Sequence, residues 1–225
     1  MSLRHYGRVL VIAPHPDDEI LGCGGTMARM VDEGLDVHVA IVTSGRPPSY
    51  SIESVARVRD EARRAHQFLG ISATHMLDFP AAALDGIPTC ELNEGLAKLV
   101  RDIKPDTLFL PFIGDIHRDH QLTFVAALVA ARPRDASAPS RILAYETLSE
   151  TNWFAAPTTP MFAPDVFIDI SIERKLAAFG MFESQVKAFP DERSLITIEA
   201  LARLRGSTVF LHAAEAFMNV RTIER

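Results

Sequence analysis

The chain has 225 residues, with 23 basic against 29 acidic side chains and a net charge of −6. That length suits a single domain, 1–225, with a sizeable core, and 48% hydrophobic content is ordinary for a globular protein. No basic block occurs and no apolar run nears the ~20 residues that cross a bilayer, so nucleic acid binding and stable membrane insertion are not expected.

Val9–Ala13 is a short continuous apolar run, as a central parallel strand should be. Gly22, Gly24 and Gly25 follow, and Thr26 to Val31 reads as a helix ending near Gly34. Val37–Val42 reads as a second strand, closed by Thr43-Ser44-Gly45, and Arg46–Ser51 as a loop. Glu53–Leu69 has helical spacing with Gly70 as its stop, and His75–Leu77 suggests a short third strand. Glu91–Ile103 is expected to be a helix, Thr107–Pro111 a fourth strand, Leu122–Ala131 a helix and Ile142–Glu146 a fifth strand. Thr151–Pro164 reads as a long loop and Val166–Ile170 as a further strand. Residues 171–189 and roughly 194–218 are expected to be helices covering one side of the sheet. This alternation predicts an α/β fold with a Rossmann-like, doubly wound and mostly parallel sheet.

Two charged clusters sit at strand ends. Ala13-Pro14-His15-Pro16-Asp17-Asp18-Glu19 follows the first strand, and His117-Arg118-Asp119-His120 follows the fourth. Charge at a buried strand end is costly unless compensated, and a divalent cation compensates it well. Both clusters are expected at the carboxyl edge of the sheet, where open α/β sheets place their sites. Pro16 biases His15 towards extended backbone, and the three acids then fall at a helix start, where the macrodipole favours them. His15, one aspartate and His120 would make a two-His, one-carboxylate set with room for water and substrate, suited to Zn(II) or Fe(II). The remaining aspartate could act as base and the remaining histidine as acid or oxyanion donor, which is the equipment for hydrolysing an acyl bond.

These residues bring a family with them. The first motif, continued by Gly22-Cys23-Gly24-Gly25-Thr26, resembles the signature of the LmbE/PIG-L family of metal-dependent N-deacetylases, and His117-Arg118-Asp119-His120 resembles its second motif. Weaker likenesses are Leu77-Asp78-Phe79-Pro80, Tyr145-Glu146-Thr147, Thr151-Asn152-Trp153, Lys175, Glu183-Ser184-Gln185 and Ala214-Glu215-Ala216-Phe217. The resemblance implies His15, Asp18 and His120 as metal ligands, Zn2+ with Fe2+ as alternative, and Asp17 as general base. It implies His117 as oxyanion stabiliser and acid, Asp119 as tuner of its neighbouring histidines, and an N-acetylglucosamine-type sugar or conjugate as substrate. Where the family pattern has a tyrosine before Ser-Gln, this chain has Phe182.

Ser44, Arg59 and Trp153 are the candidate substrate contacts: a strand-end hydroxyl, a helix arginine and an aromatic wall for a sugar ring. The bland readings are a solvated arginine, a partly buried tryptophan anchor and, for the glycine cluster, close helix–strand packing in place of a phosphate cradle. Glu19 reads as support for its neighbours. Cys23 and Cys90 stand far apart, which excludes a cysteine-built zinc site. With no signal-peptide pattern, a cytoplasmic protein is expected, and a homo-oligomer is compatible with the sequence. Two alternatives stay open: an amidase of a larger sugar–thiol conjugate, and a non-catalytic sugar-binding protein with a structural metal.

Overall fold

The computed structural model describes residues 2–134, 138–153 and 158–224. Its seven strands are β1 (Val9–Ala13), β2 (Val37–Ser44), β3 (Ala73–Pro80), β4 (Thr107–Leu110), β5 (Arg141–Tyr145), β6 (Val166–Asp169) and β7 (Ala214–Thr222). Six α-helices connect them: α1 (Asp18–Asp32), α2 (Ile52–Leu69), α3 (Thr89–Ile103), α4 (Arg118–Ala130), α5 (Ile172–Gly180) and α6 (Leu195–Ser207). The strands form one sheet in the order β3-β2-β1-β4-β5-β7-β6. The first five run parallel, and β7 runs antiparallel to both β5 and β6.

β1 lies at the centre because both of its faces are apolar. Val9, Val11 and Ala13 pack with α1, α2, α5 and α6, while Leu10 and Ile12 pack with α3 and α4. Each of these side chains is fully buried, and burial of a Leu or Ile contributes roughly 1.5–3 kcal/mol. No helix among the described residues is long and apolar enough to cross a membrane.

Three expectations need correction. Helix α1 starts at Asp18, so the glycines lie inside it. They permit close packing: a Cβ on Gly22 would overlap the Tyr145 ring, and one on Gly25 would lie 2.7 Å from Ile170 Cβ. Helix α5 ends at Gly180 and does not continue to 189. The expected helix 194–218 is instead α6 followed by β7, a strand wedged between β5 and β6. Pairing on both edges overrides the helix-forming character of Ala214, Glu215, Ala216 and Met218.

Candidate metal centre and active-site cleft

From β1 the chain winds outward through β2 to β3, then returns to place β4 on the other side of β1. The carboxyl ends of β1 and β4 therefore flank the switch point of the sheet, where a crevice opens. The two charged clusters meet there.

His15 leaves β1 and donates its backbone N–H to Asp18 Oδ2 at 2.9 Å. The same carboxylate oxygen lies 3.2 Å from His15 Nδ1 and 3.2 Å from His120 Nε2. Two imidazoles and one carboxylate thus offer ligand atoms that all lie within 4.8 Å of one another. Asp18 Oδ1 and His120 Nε2 are buried without a hydrogen-bond partner. Orphaned buried polar atoms of this kind call for an occupant. The donor set fits a divalent cation.

Around these residues stand carboxylates that orient the rings. His120 Nδ1 donates to Asp115 Oδ2 at 2.8 Å, and Asp115 Oδ1 accepts the Thr151 hydroxyl at 2.6 Å. His15 Nε2 lies 3.0 Å from Asp119 Oδ2, while Asp119 also accepts the Ala82 and Leu84 amides at 2.6 and 3.3 Å. His15, His117 and Asp119 form a second cluster sharing His15. Burial opposes charge on His15, but its bonds to Asp119 and Asp18 push it up to about 9. His120, also opposed by burial, is pushed up to about 10 by Asp18 and Asp115. Asp18, despite its burial, is held well below the usual carboxylate range by those two rings.

Asp17 caps α1 with φ 111°, a left-handed conformation costing a non-glycine residue on the order of 1–3 kcal/mol. Glu19 helps hold it: Glu19 Oε2 accepts the Asp17 amide at 3.1 Å, while Oε1 lies 3.0 Å from His66 Nε2. Asp17 Oδ2 accepts from Arg193 Nη1 at 3.0 Å. Burial pushes Asp17 up to about 8, outweighing the arginine. His117 caps α4: its Nδ1 accepts the Asp119 amide at 3.1 Å, which leaves the proton of the neutral ring on Nε2. Burial and the charge on His15 lower its pKa.

A cavity of about 630 Å³ opens over this cluster, with His15, Asp17, His117, Ser44, Arg59 and Arg193 in its wall. Arg59 is bonded to Asp78 at 2.7 Å and to the Ser44 hydroxyl at 3.3 Å. Trp153 is not part of that wall. It is 59% exposed, with its Nε1 donating to Glu192. Phe182 lies in the core against Phe179 and has no face in the cavity. Asp115 and Arg193 escaped the sequence reading. Asp115 stands five residues before His120, a spacing that could have flagged it, whereas Arg193 reaches the site from the distant α5–α6 connection and carries no local signal.

Fold and cluster define an open α/β sheet with a histidine–aspartate centre at its switch point. The chain belongs to the PIG-L family, described as GlcNAc-PI de-N-acetylase, whose pattern matches residues 10–131. It is similar to the diacetylchitobiose deacetylase of Thermococcus kodakarensis, 29% identical over 197 residues that cover 82% of this chain and 71% of that one. A probable N-acetyl-α-D-glucosaminyl L-malate deacetylase of Bacillus cereus is 27% identical over 82% of this chain and 86% of its own. Among solved structures, the conserved protein TT1542 from Thermus thermophilus superimposes with a TM-score of 0.77 at 29% identity, covering 96% of each chain.

Proposed function

We propose that this chain is a metal-dependent deacetylase that removes the acetyl group from an N-acetylglucosamine-type sugar or conjugate. The observation that carries the reading is the buried cluster of His15, Asp18 and His120, whose ligand atoms converge beside Asp17 at the cavity, with Asp18 Oδ1 left without a hydrogen-bond partner. Family membership and the names of the relatives support the substrate class. The chain is proposed to act as one domain, because the cavity wall draws on residues from His15 to Arg193 around one sheet.

His15, Asp18 and His120 would hold the cation, Zn2+ by preference and Fe2+ as alternative. Once bound, it supplies Lewis-acid polarisation of the acetamide and an acidified water. Asp17 takes the proton from the attacking water, and Arg193 keeps its carboxylate oriented. His117 offers its Nε2–H to the developing oxyanion. The proton that Asp17 took from the water then passes by way of His117 to the departing amine. Acetate and a free amino sugar leave, with Asp17 and His117 returned to their starting protonation.

The test is acetate release from a panel of free, phosphorylated, nucleotide-linked and aglycone-linked N-acetylhexosamines, with metal-loaded and chelator-stripped protein side by side. Metal-dependent release from any member supports the reading. Silence with metal bound, together with turnover of a larger sugar–thiol amide, would replace it with the amidase. Metal-dependent sugar binding without acetate release would replace it with the binding protein.

A further inference from the structure

The wall of the cavity carries a tyrosine that the proposed chemistry does not use. Tyr50 stands on the connection between β2 and α2, its amide closing a turn onto the Arg46 carbonyl at 3.1 Å. Its ring lies over Gly45, the residue that ends the β2 side of the cavity. A Cβ on Gly45 would come within 2.7 Å of Tyr50 Cγ and 2.8 Å of its Cβ. The ring is thus seated on a position only glycine leaves open.

Tyr50 is nevertheless 41% exposed and shares the cavity with His15, Asp17 and His117. Among the described residues lining that cavity it is the only tyrosine, phenylalanine or tryptophan. Ser44, Glu53, Ser54 and Arg59 line the same cavity and supply donors and acceptors. A pyranose ring has a face of C–H groups and a rim of hydroxyls. An aromatic plane ringed by short polar side chains complements both, as tyrosine does wherever one side of a contact is apolar and its edge is wet. A tyrosine serving only as an anchor would instead be covered.

We propose that Tyr50, seated on Gly45, is the platform on which the pyranose ring of the substrate stacks, making the β2–α2 connection a specificity element. The identity of the substrate rests on the deacetylase reading above. The role expected of Trp153 from sequence passes to Tyr50, which the cavity contains.

The test measures KM and kcat for N-acetylglucosamine and N,N′-diacetylchitobiose in Tyr50→Ala, Tyr50→Phe, Tyr50→Trp and Gly45→Ala. It also measures equilibrium binding of both sugars to the zinc-loaded Asp17→Asn protein, with and without Tyr50→Ala. Tyr50→Ala should raise KM about tenfold with kcat and zinc affinity unchanged. The Phe and Trp variants should restore KM. Gly45→Ala should raise KM as Tyr50→Ala does, because its methyl displaces the ring. Equal KM and equal sugar binding in wild type and Tyr50→Ala would overturn the platform while leaving the deacetylase reading intact, as would a loss confined to kcat. Tyr50-dependent sugar binding with no acetate release would support the platform and overturn the deacetylase. Failure of both sugars to bind would overturn the platform, and the wider acetate-release panel would decide the deacetylase reading separately.

Discussion

Asp115 and His120 are joined by a 2.8 Å hydrogen bond from Nδ1 to Oδ2, and neither side chain reaches solvent. Because the bond places a proton on Nδ1, the lone pair of the neutral ring falls on Nε2, the atom facing Asp18. Asp115 is itself held by Thr151. A metal-bound histidine whose other nitrogen loses its carboxylate partner typically weakens the site by about 10–100-fold. Asp115→Ala should therefore lower metal affinity by about that factor in a competition titration against a chromophoric chelator. His120→Ala, which removes a proposed ligand, should strip the metal. Full occupancy in that variant would remove His120 from the set.

Asp17→Asn keeps the size of the side chain and removes its basicity. The expected outcome is a fall in kcat of about 10²–10⁴-fold with metal content unchanged by elemental analysis. Loss of metal from this variant would exchange the roles assigned to Asp17 and Asp18.

Arg193 lowers the pKa of Asp17, which burial otherwise raises. Removing the cation lets that pKa rise, so a base that must be ionised needs a higher pH. Arg193→Ala should move the acidic limb of the kcat/KM profile upward by about one pH unit. A limb that stays in place would detach Arg193 from the base.

In the metal-free site, His15 and His120 are pushed up to about 9 and about 10, so both rings carry two protons at pH 7. Ligation requires neutral imidazole, so each ring must release one proton on metal uptake. Metal affinity should accordingly rise with pH from neutrality and level off above those values. Calorimetry in two buffers of different ionisation enthalpy should detect release of about two protons at pH 7. Release of none would mean that the rings are already neutral.

Gly22 lies in α1 directly against Tyr145, itself fully buried with its hydroxyl on the Ile12 carbonyl at 3.0 Å. Gly22→Ala helps the helix intrinsically by about 1 kcal/mol, yet its methyl would occupy space already filled by the tyrosine ring. Overpacking costs typically 1–3 kcal/mol, and here the ring is pinned, so a net loss of several degrees in Tm is expected by thermal unfolding. An unchanged or raised Tm would show that helix and sheet can separate locally.

Most of the centre was legible because its residues are close in sequence and their chemistry is local. His15, Asp17 and Asp18 span four positions, and His117 to His120 span four more. The parallel strands were legible for a related reason: residues buried on both faces, such as Leu10 and Val11, leave no polar position in the run. What escaped depends on partners distant in the chain. β7 is a strand because β5 and β6 pair with it, and Arg193 matters because the α5–α6 connection crosses to Asp17. Trp153 reads from the sequence as an aromatic wall for a sugar ring, but its exposed ring lies outside the cavity, whereas Tyr50 gains its place from Gly45 five residues earlier.

The pairing of β1 with both β2 and β4 has a consequence for the growing chain. His15 and Asp18 are synthesised about a hundred residues before His120, and β2, α2, β3 and α3 must form between them. Until β4 docks against the free edge of β1, the nascent protein holds only part of the proposed cation site. The order of synthesis thus delays complete ligation until the two halves of the sheet have met. An early fragment carrying the first three strands would hold any captured ion with an incomplete ligand set, and tight retention becomes a report that the central strands have paired.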